Sequence, residues 1–208
     1  LYDWVDGYKA GEIDFQYAGM TISDLQPFIN WKRKTWAYNT QQPKGKLVRF
    51  LFKSPLEQLK GVEVEVNYEL YDGLPLIVKW VSVKNNSGKN IVVNRIINES
   101  LGLVEEESAV VGSPEQMKKQ HGLYVETNYA FNNAMRYDIS DQTTHWKIDS
   151  SYTSQVNYNY QTPCILEVYP EKVLAVDMPS GETMKSPRTH ELLMDSYDRE
   201  RRGLMIQR

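Results

Sequence analysis

The residues with which this chain could most readily move protons or hold a transition metal are three histidines, His121, His145 and His190. Zinc hydrolases converge their ligands on one ion, usually with two histidines a helical turn apart, and these three positions provide no such pair. They read as surface or core imidazoles, and no metal site is predicted. Cys164 is the only cysteine, so no internal disulfide or thiolate cluster can form. Its place in the apolar run Cys164 to Val168, just after Pro163, marks it as a buried, inert thiol. No nucleophile-elbow, phosphate-loop or dinucleotide-binding pattern is present. Acyl transfer, phosphoryl transfer and hydride chemistry are therefore unsupported, and no cofactor is expected.

Carboxylates are plentiful, with 27 Asp and Glu. Glycoside hydrolysis needs two of them facing one another about 5 to 10 Å apart, a condition that sequence alone cannot assign to a pair. No catalytic residue is assigned. The run Glu105-Glu106-Glu107 reads as a solvated edge, because adjacent residues of an extended chain alternate sides; calcium would be the chemically suitable ion there, but a metal site is not predicted. Sugar recognition uses stacking rings beside cationic donors, and Trp31-Lys32-Arg33 with Trp36 and Tyr38 combines the two. Trp31, Arg33, Trp36 and Trp146 are the candidate carbohydrate contacts. Trp80 sits in a run that is apolar on both faces and is expected in the core. Asn94, Arg95, Asn98 and Glu99 interrupt apolar strand-like sequence, and burial without a partner would cost each about 1 to 3 kcal/mol. If Arg95 and Glu99 both point inward, they can pair.

The elements that must position these residues are strands. Val62, Val64, Val66, Tyr68 and Leu70 alternate with Glu63, Glu65, Asn67 and Glu69, which predicts a half-buried strand. Asp72-Gly73 supplies a turn, and Leu74 to Val83, apolar on both faces apart from Lys79 and Ser82, reads as a more central strand. Pro75 belongs at its start or against an unpaired edge, having no N–H to donate. After Asn85-Asn86-Ser87-Gly88, the stretch Ile91 to Ile97 predicts a third antiparallel strand. Leu47 to Phe52, Leu101 to Val104, Gly122 to Thr127, Ser151 to Tyr160, Cys164 to Tyr169 and Val173 to Val176 add short β segments at the spacing of a sandwich or barrel. Ser113-Pro114-Glu115 allows a turn or two of helix, and His190 to Arg202 suits either helix or strand followed by a charged turn.

With 41% apolar and 25% charged residues the composition is that of a folded globular protein, and one domain spanning 1–208 is expected. A net charge of -3 from mixed signs provides no field for nucleic acid. No apolar run reaches about 18 residues, so no membrane-spanning helix is predicted. The chain starts at Leu1 and stops at Arg208 within a charged and apolar pattern, which reads as a piece of a longer protein.

Residues Asn67 to Leu101 resemble the galactose-mutarotase-like β-supersandwich that precedes the catalytic barrel of α-galactosidase-type glycoside hydrolases. The resemblance lies in Tyr68-Glu69-Leu70-Tyr71-Asp72-Gly73-Leu74-Pro75, Lys79-Trp80 and Val83-Lys84-Asn85. Pro179-Ser180-Gly181-Glu182 and the stretch from Arg188 through Gly203 agree with it. What it implies is an all-β, antiparallel supersandwich with little helix, the amino-terminal and noncatalytic part of a longer enzyme. Its implied partners are carbohydrate, the C-terminal catalytic domain of the same polypeptide and a second copy in a homo-oligomer, in an extracytoplasmic or secreted setting. An independent carbohydrate-binding module and a small aldose epimerase are the alternatives. The epimerase would need a His acid and a Glu base, and none of the three histidines can be placed on such positions.

Overall fold

A computed structural model describes residues 7–27, 43–103, 122–129, 143–149, 163–170 and 175–207. Its backbone is antiparallel β-structure with one helix at the carboxyl end, the all-β sandwich expected. The main sheet contains β1 (Gln16–Asp24), β2 (Gly45–Lys53), β3 (Val62–Tyr71) and β4 (Leu76–Asn85), followed by β12 (Thr189–Leu193) and β7 (Leu123–Thr127). A second sheet orders β6 (Glu99–Gly102), β9 (Ile165–Val168) and β8 (Thr144–Lys147). Strand β5 (Ile91–Val93) pairs with β10 (Val176–Met178), and β11 (Thr183–Lys185) pairs with β4 ahead of β12.

The period-two run forms β3, and the β3–β4 register pairs Val62 with Asn85 through to Leu70 with Ile77. Gly73 closes the hairpin at φ +73°, a left-handed conformation that a side chain would strain. Strand β4 is central as expected, and Pro75 precedes it, its carbonyl accepting from Leu193 N at 2.9 Å. On the other side of β4, β11 and β12 lie end to end with Ser186-Pro187 between them. Proline cannot donate to the ladder. Ser186 keeps the seam closed, since its N–H donates to Val81 O at 2.8 Å and its Oγ accepts from Val81 N at 2.9 Å.

Residues opposed across a strand pair share a face. One face of the main sheet, with Val64, Val81, Lys79, Thr189, Glu191 and Val125, forms the sandwich interior. There Leu123, Leu166 and Val168 make a core with Leu101 and Trp146, while Val62, Val83 and Met178 make another with Ile91, Ile96 and Met184. Each fully buried side chain of this size contributes about 1.5 to 3 kcal/mol. The opposite face is also covered around β4, where Leu47, Val78 and Trp80 pack with Leu25, Tyr71 and Leu76.

Several expectations are corrected in detail. The third predicted strand exists as β5 but is shorter than read, ending at Val93 instead of Ile97, and it pairs with β10. The supposedly outward face of β3 is not all solvated, since Asn67 and Glu69 are buried. The ambiguous carboxyl end contains both forms, strand β12 and then helix α1 (Arg199–Gln207). The segment Leu101 to Val104 begins earlier than read, as β6 at Glu99. The helix start at Ser113, the acidic run 105–107 and the strand over 151–160 lie outside the described residues. Among the described residues, no helix is long and apolar enough to cross a membrane.

Candidate functional site

Lys79 and Trp80 are consecutive on β4 and therefore point to opposite faces of the sheet, where each anchors a buried polar cluster. On the interior face Lys79 Nζ lies 2.7 Å from Glu99 Oε1 of the second sheet and 5.4 Å from the ring of Tyr68. Glu99 Oε1 also accepts from Ser100 N at 2.9 Å. Burial opposes the Lys79 charge, yet the Glu99 carboxylate outweighs it and holds the ammonium above its usual range. Glu191 projects from β12 to the same face, and its carboxyl meets that of Glu99. Burial and the neighbouring Glu99 charge push its pKa up to about 8. Glu191 thus keeps its proton to higher pH than a free glutamate, and among the described residues its Oε1 has no hydrogen-bond partner. Asn98 completes the array, donating through Nδ2 to Lys79 O and Thr189 Oγ1 and accepting through Oδ1 from Ser186 Oγ at 2.7 Å.

On the opposite face Arg188 Nη1 bonds to Glu69 Oε2 at 2.8 Å, and its guanidinium lies 3.9 Å above the centre of the Trp80 ring. Tyr71 Oη donates to the same Glu69 oxygen at 2.8 Å. Burial and that carboxylate hold the Tyr71 phenol well above its ordinary pKa. The planar guanidinium suits this place, because it can pair in its plane and stack on its face at once. Arg188 reaches the ring because it follows the break at Pro187 and precedes Thr189, which faces the interior.

A neutral acid beside an ionised one resembles an acid and base dyad. Access decides against that use of Glu99 and Glu191, which are only 4% and 5% exposed within the sandwich. A glycosidic oxygen cannot reach them, and the cluster instead ties the second sheet to β4 and β12. A cavity of about 190 Å3 opens beside it, walled by the segment after β5 and by β10 and β11. Its described lining contains no Asp or Glu, so the carboxyl pair of a glycosidase is not found there. Among the described residues, no cluster of three or more metal-ligating side chains occurs.

Of the sequence-predicted contacts, Trp31, Arg33 and Trp36 lie outside the described residues. Trp146 is half-buried on β8 against the Leu123, Leu166 and Val168 core. Trp80 is in the core as expected. Arg95 and Glu99 do not pair with each other: Glu99 takes Lys79, and the Arg95 guanidinium lies 4.3 Å over the Tyr169 ring. His145 stacks on that ring at 4.0 Å, with one nitrogen 3.1 Å from Tyr169 O. His190 lies on β12, where burial pulls its imidazole below the usual pKa, and His121 lies outside the described residues. Cys164 is buried. Glu69, Arg188 and Glu191 carry the two clusters and were not singled out as site residues; the only signal was charge on strands that are otherwise apolar.

No protein-family model matches the chain. No curated protein matches it either. Solved structures do. The α-galactosidase from Lactobacillus brevis aligns at TM-score 0.51 and 14% identity, over 86% of this chain and 27% of that one. The galactosidase domain of the α-galactosidase-sucrose kinase AgaSK aligns at TM-score 0.50 and 13% identity, over 88% and 28%. The GH36 α-galactosidase AgaA from Geobacillus stearothermophilus aligns at TM-score 0.48 and 12% identity, also over 88% and 28%. The chain spans little more than a quarter of the length of these structures. The first two alignments show that this chain has the fold of one portion of an α-galactosidase, the β-sandwich that its hairpin resembles.

Proposed function

We propose that the chain is the noncatalytic amino-terminal β-supersandwich of an α-galactosidase-like glycoside hydrolase. It packs on the catalytic barrel of the same polypeptide and supplies sugar contacts at the rim through Trp31, Arg33 and Trp36, with Trp146 offering only the edge that its core packing leaves open. The observation that carries this reading is the fold shared with the Lactobacillus brevis α-galactosidase across 86% of this chain and only 27% of that one. The burial of Glu99 and Glu191 supports a scaffold over a catalyst.

The reading frame downstream of Arg208 tests it. A barrel-like alternation of strand and helix over several hundred codons is expected, and a stop codon directly after Arg208 overturns it. In that longer polypeptide Trp31→Ala and Trp36→Ala should raise KM for an α-galactosyl oligosaccharide about tenfold at nearly constant kcat, the mark of lost uniform binding. Unchanged KM in both variants removes the rim assignment.

A further inference from the structure

The cavity beside the interior cluster has the chemistry of a binding site, and it is not that of a sugar site. Its body is apolar, formed by Val93, Ile96, Val176, Met184, Pro170 and Pro187. The polar atoms on its inner wall are already committed. Asn98 spends its amide on Lys79 O and Thr189 Oγ1 and its carbonyl on Ser186 Oγ. A polyhydroxylated ring placed there would lose hydrogen bonds to water and gain few in return.

The cations among the lining residues differ from that wall. Arg95 and Lys185 both line the cavity, both are exposed, and neither makes a salt bridge among the described residues. Arg95 is also pre-set. Its guanidinium rests 4.3 Å from the centre of the Tyr169 ring, which is held by the His145 ring stacked at 4.0 Å and 19°. Stacking occupies the face of the guanidinium and leaves the N–H donors in its plane, the geometry that receives a carboxylate through two parallel bonds. Positive charge here is local, since the chain as a whole is at -3. From this juxtaposition of an apolar hollow of about 190 Å3 and a ring-stacked guanidinium with no acid partner among the described residues, we infer a binding site for a small monocarboxylate with a compact apolar body. Arg95 grips the carboxylate, Lys185 adds charge, and Val93, Ile96 and Met184 enclose the body.

Titration calorimetry of the 208-residue chain with benzoate, benzamide and galactose tests the site. Benzoate should bind saturably at a single site, while benzamide, of the same shape without the charge, should bind about tenfold more weakly or not at all. Arg95→Gln should weaken benzoate by about tenfold or more, and Arg95→Lys, which keeps the charge but loses the fork, should fall between. As Arg95 is exposed and gives up only its stacking on Tyr169, both variants should stay folded and unfold within about 4 °C of the parent. Met184→Trp should block binding by filling the hollow, and where it fails to fold the Arg95 pair decides. Equal binding of benzoate and benzamide, absence of benzoate binding, displacement of benzoate by galactose, or full affinity in Arg95→Gln each overturns the inference.

Discussion

The two faces of β4 hold buried ion pairs with the same side-chain exposure, 13% for the cation and 5% for the acid, and yet they differ in kind. Arg188 and Glu69 form a closed pair, in which the acid is bonded by the guanidinium and Tyr71 and the cation is stacked on Trp80. Lys79 and Glu99 share their site with a second acid, Glu191, which keeps its proton because a second buried charge would have no counterion. One face therefore pairs one acid with one cation, and the other sets two acids against one cation and is neutral only while Glu191 stays protonated. Burial alone does not set how a charge cluster behaves; stoichiometry does.

Breaking each pair gives the largest expected effects. Arg188→Met strands Glu69 in a covered face and also removes the guanidinium from Trp80, so a loss of about 3 to 5 kcal/mol is expected in urea unfolding. Lys79→Met, which strands Glu99 beside Glu191, should cost a comparable amount. A negligible loss in either variant would show that its pair does not hold that face together.

Glu191→Gln sharpens the distinction between the faces further. The folded chain holds the Glu191 proton to about pH 8, whereas an unfolded glutamate releases it near 4.5. The stabilisation is therefore complete below about 4.5 and is lost as pH rises through 8. Across that window the parent should lose roughly 4 to 5 kcal/mol, and Glu191→Gln, which cannot ionise, should lack that slope. A smaller change, Trp146→Ala, should cost about 2 to 3 kcal/mol, because the ring is only half-buried against Leu166 and Val168. Ser186→Ala, which removes the hydroxyl bridging Val81 N and Asn98 at the β11–β12 break, should cost about 1 kcal/mol.

What sequence could reveal of this follows from distance along the chain. The β3–β4 hairpin was legible because alternation and the Asp72-Gly73 turn are local signals, and β4 was legible as central because it is apolar on both sides. Strand β1 was not, since nearly all its residues are exposed and Gly19 sits at a break in its register, which leaves no alternating pattern. The pairing of β5 with β10 was also hidden, as nothing in Ile91–Val93 specifies a partner more than eighty residues away. The same limit governs the clusters. Arg95 and Glu99 were natural partners at close spacing, but the fold gives Glu99 to Lys79 across the two sheets and joins Glu69 to Arg188, 119 residues distant. Charges on apolar strands announced that partners must exist and were silent on which.

That these buried acids are structural is tested most directly by assaying the folded 208-residue chain with p-nitrophenyl α-galactoside across pH 4 to 9. Release of nitrophenol at the rate of buffer alone is expected at every pH. Turnover above buffer that disappears in Glu99→Gln or Glu191→Gln, with both variants still folded, would contradict it and make the interior pair the catalytic one.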